Sequence, residues 1–187
     1  MRGDGKRGLF LLLLIAMLDP VPLFAQENVT FDQASRQVIG DWLIECVDGL
    51  EPVPGTCQMY QRVLTQNPNT AAMVVAIVWS PPESAFRLQI VLPFGTDLRI
   101  QPVMSIDGEV VQAFAWSRCL LRGCMVETLL PWELALRLIQ GEVAAVSIVQ
   151  PEGAVIEIPL SLTGFRSGLD GIMPAGALPD RVTPSGD

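Results

Sequence analysis

The sequence predicts a mainly β protein: a single β-sandwich or barrel-like domain with one short helix over about 131–140. Three observations predict it. Short apolar runs rich in Val, Ile and Leu recur between turn residues along most of the chain. Several of these runs alternate with the period of a strand; in Ala85 to Leu92, Phe86, Leu88 and Ile90 face one way and Arg87 and Gln89 the other. Only the stretch from Pro131 to Gly141 reads clearly as a helix, with Pro131 at its first turn, Glu133 at the positive end and Gly141 placed to cap the C-terminus.

The elements follow in order. Arg2, Lys6 and Arg7 precede an apolar run from Gly8 to Leu18, then Asp19-Pro20, Pro22 and Ala25. That layout is a cleavable secretion signal over residues 1–25, cut after Ala25. Its apolar core is about 11 residues, where a spanning helix needs roughly 20. The first cysteine is Cys46, which excludes a lipid-modified N-terminal Cys. Residues 26–38 read as a flexible lead-in. Strands are expected at Ile39–Val47, Gly55–Leu64, Ala71–Trp79 and Ala85–Leu92, with a turn at Asn67-Pro68-Asn69 and a hairpin across Ser80 to Ser84. After the turn at Leu92–Thr96 come short runs at Leu98–Ile100 and Val103–Ile106, and the Asp107-Gly108 turn. Val110–Ser117 and Gly123–Leu129 are the next strands, and the helix follows. Val143–Gln150 and Ala154–Leu160 form a hairpin around Pro151-Glu152-Gly153, and Leu162–Ile172 reads as a short final helix. The folded domain thus spans 39–173, and Pro/Gly-rich residues 174–187 read as a disordered tail.

All four cysteines, Cys46, Cys57, Cys119 and Cys124, follow the signal. An even number in an exported chain implies two disulfides, with three pairings available. The local pairing is expected. Cys46–Cys57 would close a loop turned by Asp48-Gly49, Pro52, Pro54 and Gly55, and Cys119–Cys124 a loop turned by Gly123. Loop closure gives the two about 3 and about 2 kcal/mol. The spacings suit neither a Cys-x-x-Cys redox pair nor a four-thiolate zinc site.

Composition excludes more than it assigns. The signal carries three cations against Asp4 and Asp19, so the remainder is one unit more acidic than the −8 of the whole chain. That balance disfavours nucleic acid and anionic lipid headgroups as partners. The chain has no His, and its only Lys is Lys6 in the signal. A Ser-His-Asp or Cys-His centre, a lysine Schiff base, a P-loop lysine and His-ligated zinc or copper are all ruled out. No cofactor or metal is expected.

A set of local patterns resembles the invasion-associated locus B family of exported bacterial proteins. The patterns are Gly40-Asp41-Trp42 leading to Cys46; Cys57-Gln58-Met59; Leu92-Pro93-x-Gly95; Ile106-Asp107-Gly108; Cys119-x-x-x-Gly123-Cys124; and Leu160-Ser161-Leu162-x-Gly164-Phe165. They run from about Gly40 to about Ile172. The chain departs from the family at Gln101-Pro102, where a Gly is usual, and in its C-terminal tail. The resemblance implies residence in the periplasm or on the outer surface and, in some pathogens, a part in host-cell entry. It implies the cysteines as disulfides, and no reaction, cofactor or catalytic residue.

The function expected is therefore non-enzymatic: binding to an unidentified envelope or host-surface protein, with no transmembrane segment once the signal is cut. Trp42, Trp79, Trp116 and Trp132 are the aromatic candidates, and core packing accounts for most of them. The best binding surface is Trp116 with Arg118 and Arg122, beside the 119–124 loop. The alternative is a carboxylate-dependent periplasmic hydrolase acting on glycan or peptide through Asp41, Asp107 and Glu109. Asp107-Gly108 is more readily a hairpin turn than a catalytic site.

Overall fold

A computed structural model describes residues 35–47, 56–65 and 71–174. The signal, the Asp48–Gly55 turn, the Asn67–Asn69 turn and the tail from 175 onward lie outside the described residues. Eleven strands and two helices follow in order: β1 (Ser35–Ile39), β2 (Trp42–Cys46), β3 (Cys57–Leu64), β4 (Ala71–Ser80), β5 (Ala85–Leu92), β6 (Val103–Ile106), β7 (Glu109–Ala113), β8 (Arg118–Leu120), β9 (Gly123–Leu130), α1 (Trp132–Gln140), β10 (Val143–Val149), β11 (Val155–Ser161) and α2 (Phe165–Ile172).

The strands form two open sheets, one of seven in the order β1-β2-β3-β4-β5-β9-β8 and one of four in the order β11-β10-β6-β7. Every pairing is antiparallel. This is the sandwich alternative, since neither sheet closes into a barrel. Alternation along the strands sets which face is buried. In β3, Cys57, Met59 and Gln61 point inward and Gln58 and Arg62 outward. Rows such as Ile44–Met59–Ile77–Leu88 cross the large sheet in register. They meet Met104, Ile106, Val146, Ile148, Ile158 and Leu160 of the small sheet in one core, joined by Leu134 and Leu138 of α1 and Phe165, Leu169 and Ile172 of α2.

Three expectations are corrected. The lead-in drawn to residue 38 contains β1, and the single strand drawn over 39–47 is a hairpin pairing Ile39 with Trp42. Gly40 makes that two-residue turn possible, with φ +60. The strand drawn over Val110–Ser117 ends at Ala113, because the chain leaves the small sheet there and enters the large one at Arg118. The short run Leu98–Ile100 is a turn, shaped by a bond from Ile100 N–H to the Asp97 carbonyl. Gly141 is the C-cap of α1, as expected, with φ −73 and its N–H donating to the Arg137 carbonyl (2.8 Å). Space is what requires glycine there, since a Cβ would lie 2.4 Å from Ile106 Cγ2.

Candidate functional site

Both disulfides join residues that face each other across neighbouring strands. The structure links Cys46 to Cys57 on β2 and β3, and Cys119 to Cys124 on β8 and β9, with Cα atoms 4.0 and 3.9 Å apart. Strand register places them at diagonally opposite corners of the large sheet. Cys57 starts β3 one residue before Gln58, which lies opposite Val78 near the end of β4. Cys124 lies opposite Leu92, at the far end of β5. The second staple holds a hairpin whose first strand, β8, is only three residues long and exposed throughout.

The turn of that hairpin is Leu121-Arg122, and Leu121 is 99% exposed. Leu120 beside it is half exposed. Because β5 runs antiparallel to β9, the Pro93-Phe94-Gly95 turn leaves the sheet at the same end, and Phe94 is 61% exposed. The last residue of β3, exposed Leu64, ends there too, opposite the start of β4. One end of the sheet thus shows Leu64, Phe94, Leu120 and Leu121 to solvent, and the rigid staple sits beneath the most exposed of them.

The outer face of the large sheet carries a groove of about 740 Å³ that begins at this end. Tyr60, Arg62, Val74, Ala76 and Val91 line it, and Arg122 reaches it from the stapled turn. The other outward-facing arginines of this sheet are engaged. Arg36 donates to Glu45 (2.8 Å), Arg118 donates to Glu127 (2.9 Å), and Arg87 pairs with Glu83. Arg62 and Arg122 have no carboxylate partner among the described residues.

The structure divides the surface expected at Trp116, Arg118 and Arg122. Trp116 is partly buried against the core, and its Nε1 donates to the Ile100 carbonyl (2.9 Å). Arg118 is held by Glu127. Arg122 is the member left facing the groove. Of the other tryptophans, Trp42 is buried, and Trp79 and Trp132 are partly buried against the core. The groove's second cation, Arg62, and the exposed Phe94 and Leu121 escaped sequence reasoning. The alternation in β3 puts Arg62 outward, but only strand register shows that it shares a row with Val74, Val91 and Met125.

The three acids of the hydrolase alternative each have structural work. Asp41 accepts a bond from Ser161 Oγ (2.5 Å). Asp107 takes φ +51 in the turn before Gly108 and accepts from the backbone N–H groups of Glu142 and Val143 (3.0 Å each). Glu109 pairs with Arg137 of α1 (2.8 Å). Among the described residues no group of three His, Cys, Asp or Glu side chains is arranged to hold a metal.

The model of the invasion associated locus B protein family matches residues 42–173. The chain belongs to the invasion-associated locus B family. No curated protein matches the chain. A crystal structure of invasion associated protein B from Bartonella henselae is similar in fold, with a TM-score of 0.63 at 18% identity, covering 73% of this chain and 94% of that one. In this family member the Gly40-Asp41-Trp42 and Leu160–Phe165 patterns interlock. Trp42 Nε1 donates to the Ser161 carbonyl (3.0 Å), and its ring meets Phe165 edge to face at 5.2 Å. Asp41 N–H donates to the Thr163 carbonyl (3.1 Å). Gly40 and Gly164 let the two segments touch, because a Cβ on either would lie within 2.3 Å of a backbone oxygen of the other segment. These motifs build the locus B fold on the β1–β2 side of the large sheet, across it from the stapled β8–β9 hairpin.

Proposed function

We propose that the chain is an exported, non-enzymatic protein of the periplasm or outer surface that acts by contact with an envelope or host-surface protein. The observation that supports this reading is the stapled turn, with Leu121 fully exposed on a hairpin that the Cys119–Cys124 bond holds in shape. A fixed apolar projection loses little conformational entropy when it enters a partner's pocket, and contacts of this kind dominate interface energetics. Leu120 and Phe94 widen the apolar centre, and Arg122 supplies a charged rim. Family membership supports export, and the paired cysteines support an oxidising compartment.

The test is chemical crosslinking in intact cells followed by pull-down of the tagged protein. The native chain and Val38→Asp, a change at an exposed position on the opposite edge strand β1, should recover the same specific partner. Leu121→Asp should lose it. Equal recovery by all three would refute the stapled turn as the contact. Turnover of a model glycan or peptide that disappears in the triple variant Asp41→Asn, Asp107→Asn, Glu109→Gln would restore the hydrolase alternative.

A further inference from the structure

We infer that the outer-face groove binds an anionic amphiphile: a carboxylate or phosphate head held by Arg62 and Arg122, with an apolar body lying on Val74, Ala76 and Val91. The inference goes beyond contact with a protein and stands on charge and on the nature of the floor.

Charge comes first. Five arginines of this acidic chain are matched to carboxylates. Arg62 and Arg122 line the same groove, one from β3 and one from the stapled turn, and neither has such a partner among the described residues. Register places Val74 and Val91 in the row that begins at Arg62, and Gly123, beside Arg122, backs directly onto the Leu92 carbonyl. A guanidinium on either side of an apolar strip is a natural seat for one anionic head. The chain's overall negative charge repels anions at long range, so the head must be recognised locally.

The floor then selects the body. It is the middle of a sheet, where β3, β4 and β5 each have a neighbour on both sides, and their backbone groups are spent on the ladder. A peptide laid across it would lose water from its own amides and find no backbone partner. A hydrocarbon chain has no such groups to lose. At the far end, Glu45 is held by Arg36 and Gln58, so the groove is cationic at one end only. From Arg62 to Gln58 is four residues of strand, about 13 Å, the span of a medium-length acyl chain.

Calorimetric titration of the signal-free chain tests this, with decanoate and decyl phosphate kept below their micelle concentrations. Decanol supplies the body without the head; butyrate and inorganic phosphate supply the head without the body. Both amphiphiles should bind at least about tenfold more tightly than decanol, butyrate or phosphate. Arg62→Gln and Arg122→Gln should each weaken decanoate about tenfold and leave decanol unchanged, while Arg166→Gln, on α2, should change nothing. Decanol binding as tightly as decanoate, inorganic phosphate matching decyl phosphate, an equal loss in Arg166→Gln, or no decanoate binding would each overturn the proposal.

Discussion

Gln61 carries a side-chain amide into a core that is otherwise apolar, and its two bonds explain why. Its Oε1 accepts from Ser161 N–H (2.9 Å) and its Nε2 donates to the Ser161 carbonyl (3.1 Å). Ser161 ends β11, an edge strand of the small sheet, so one residue of the large sheet serves as its missing neighbour. Gln61→Leu would leave that N–H without a partner, while the carbonyl keeps Trp42. The expected loss is about 1–3 kcal/mol in urea denaturation, and a loss below about 0.5 kcal/mol would contradict the role. Asp97 is the other buried polar side chain among the described residues. Arg99 donates to it through its guanidinium (2.7 Å) and its backbone N–H (3.0 Å), holding its carboxyl well below the ordinary range, at about 2. A carboxylate whose pKa falls on folding stabilises the fold above its unfolded pKa, and that contribution disappears as pH drops through the folded value. The Tm advantage of the native chain over Asp97→Asn should therefore be full at pH 5 and vanish between about pH 4 and about pH 2. A difference that stays constant across that range would contradict the assignment.

Among the elements, the β8–β9 hairpin depends most on its covalent clip. It is an edge of the sheet, and β8 offers only three exposed residues to its neighbour. Replacing Cys119 and Cys124 with Ser should cost about 2 kcal/mol, and the same change at Cys46 and Cys57 about 3 kcal/mol. Amide exchange should distinguish the two losses. The first should speed exchange locally over Leu120–Met125, and the second should lower protection across the sheet. Unchanged exchange at Leu120–Met125 would show that strand pairing alone holds the turn. The elements also show what a linear reading can reach. Alternation in β5 and helical spacing in α1 mark a buried face directly, so both were legible. The β1–β2 hairpin was not, because its turn is only Gly40-Asp41 inside what looks like one strand. Residues 114–117 alternate like a strand, yet Phe114 fills the core and Trp116 bonds the Ile100 carbonyl as the chain crosses between sheets. Composition and local pairing marked the cysteines and Arg122. Arg62 joined them only through register, which depends on residues far apart in the chain.

For the whole molecule, two open sheets around one core leave edges and faces that a barrel would have closed. The staples secure opposite corners of the larger sheet, the Gly40–Trp42 and Ser161–Phe165 segments lock β1 and β2 to the end of β11, and Arg137 ties α1 to Glu109 of β7. The Cys119–Cys124 end carries the most exposed apolar side chain among the described residues, Leu121, and the mouth of the groove with its two guanidiniums. The two staples form only if the chain reaches a compartment where thiols are oxidised. Peptide mapping by mass spectrometry, on protein taken from the cell envelope with thiols blocked before lysis, tests this directly. The account predicts an N-terminus at Gln26, one linked peptide pair containing Cys46 and Cys57, and another containing Cys119 and Cys124. Free thiols at these positions, crossed pairing, or an intact Met1 in a cytosolic fraction would contradict it.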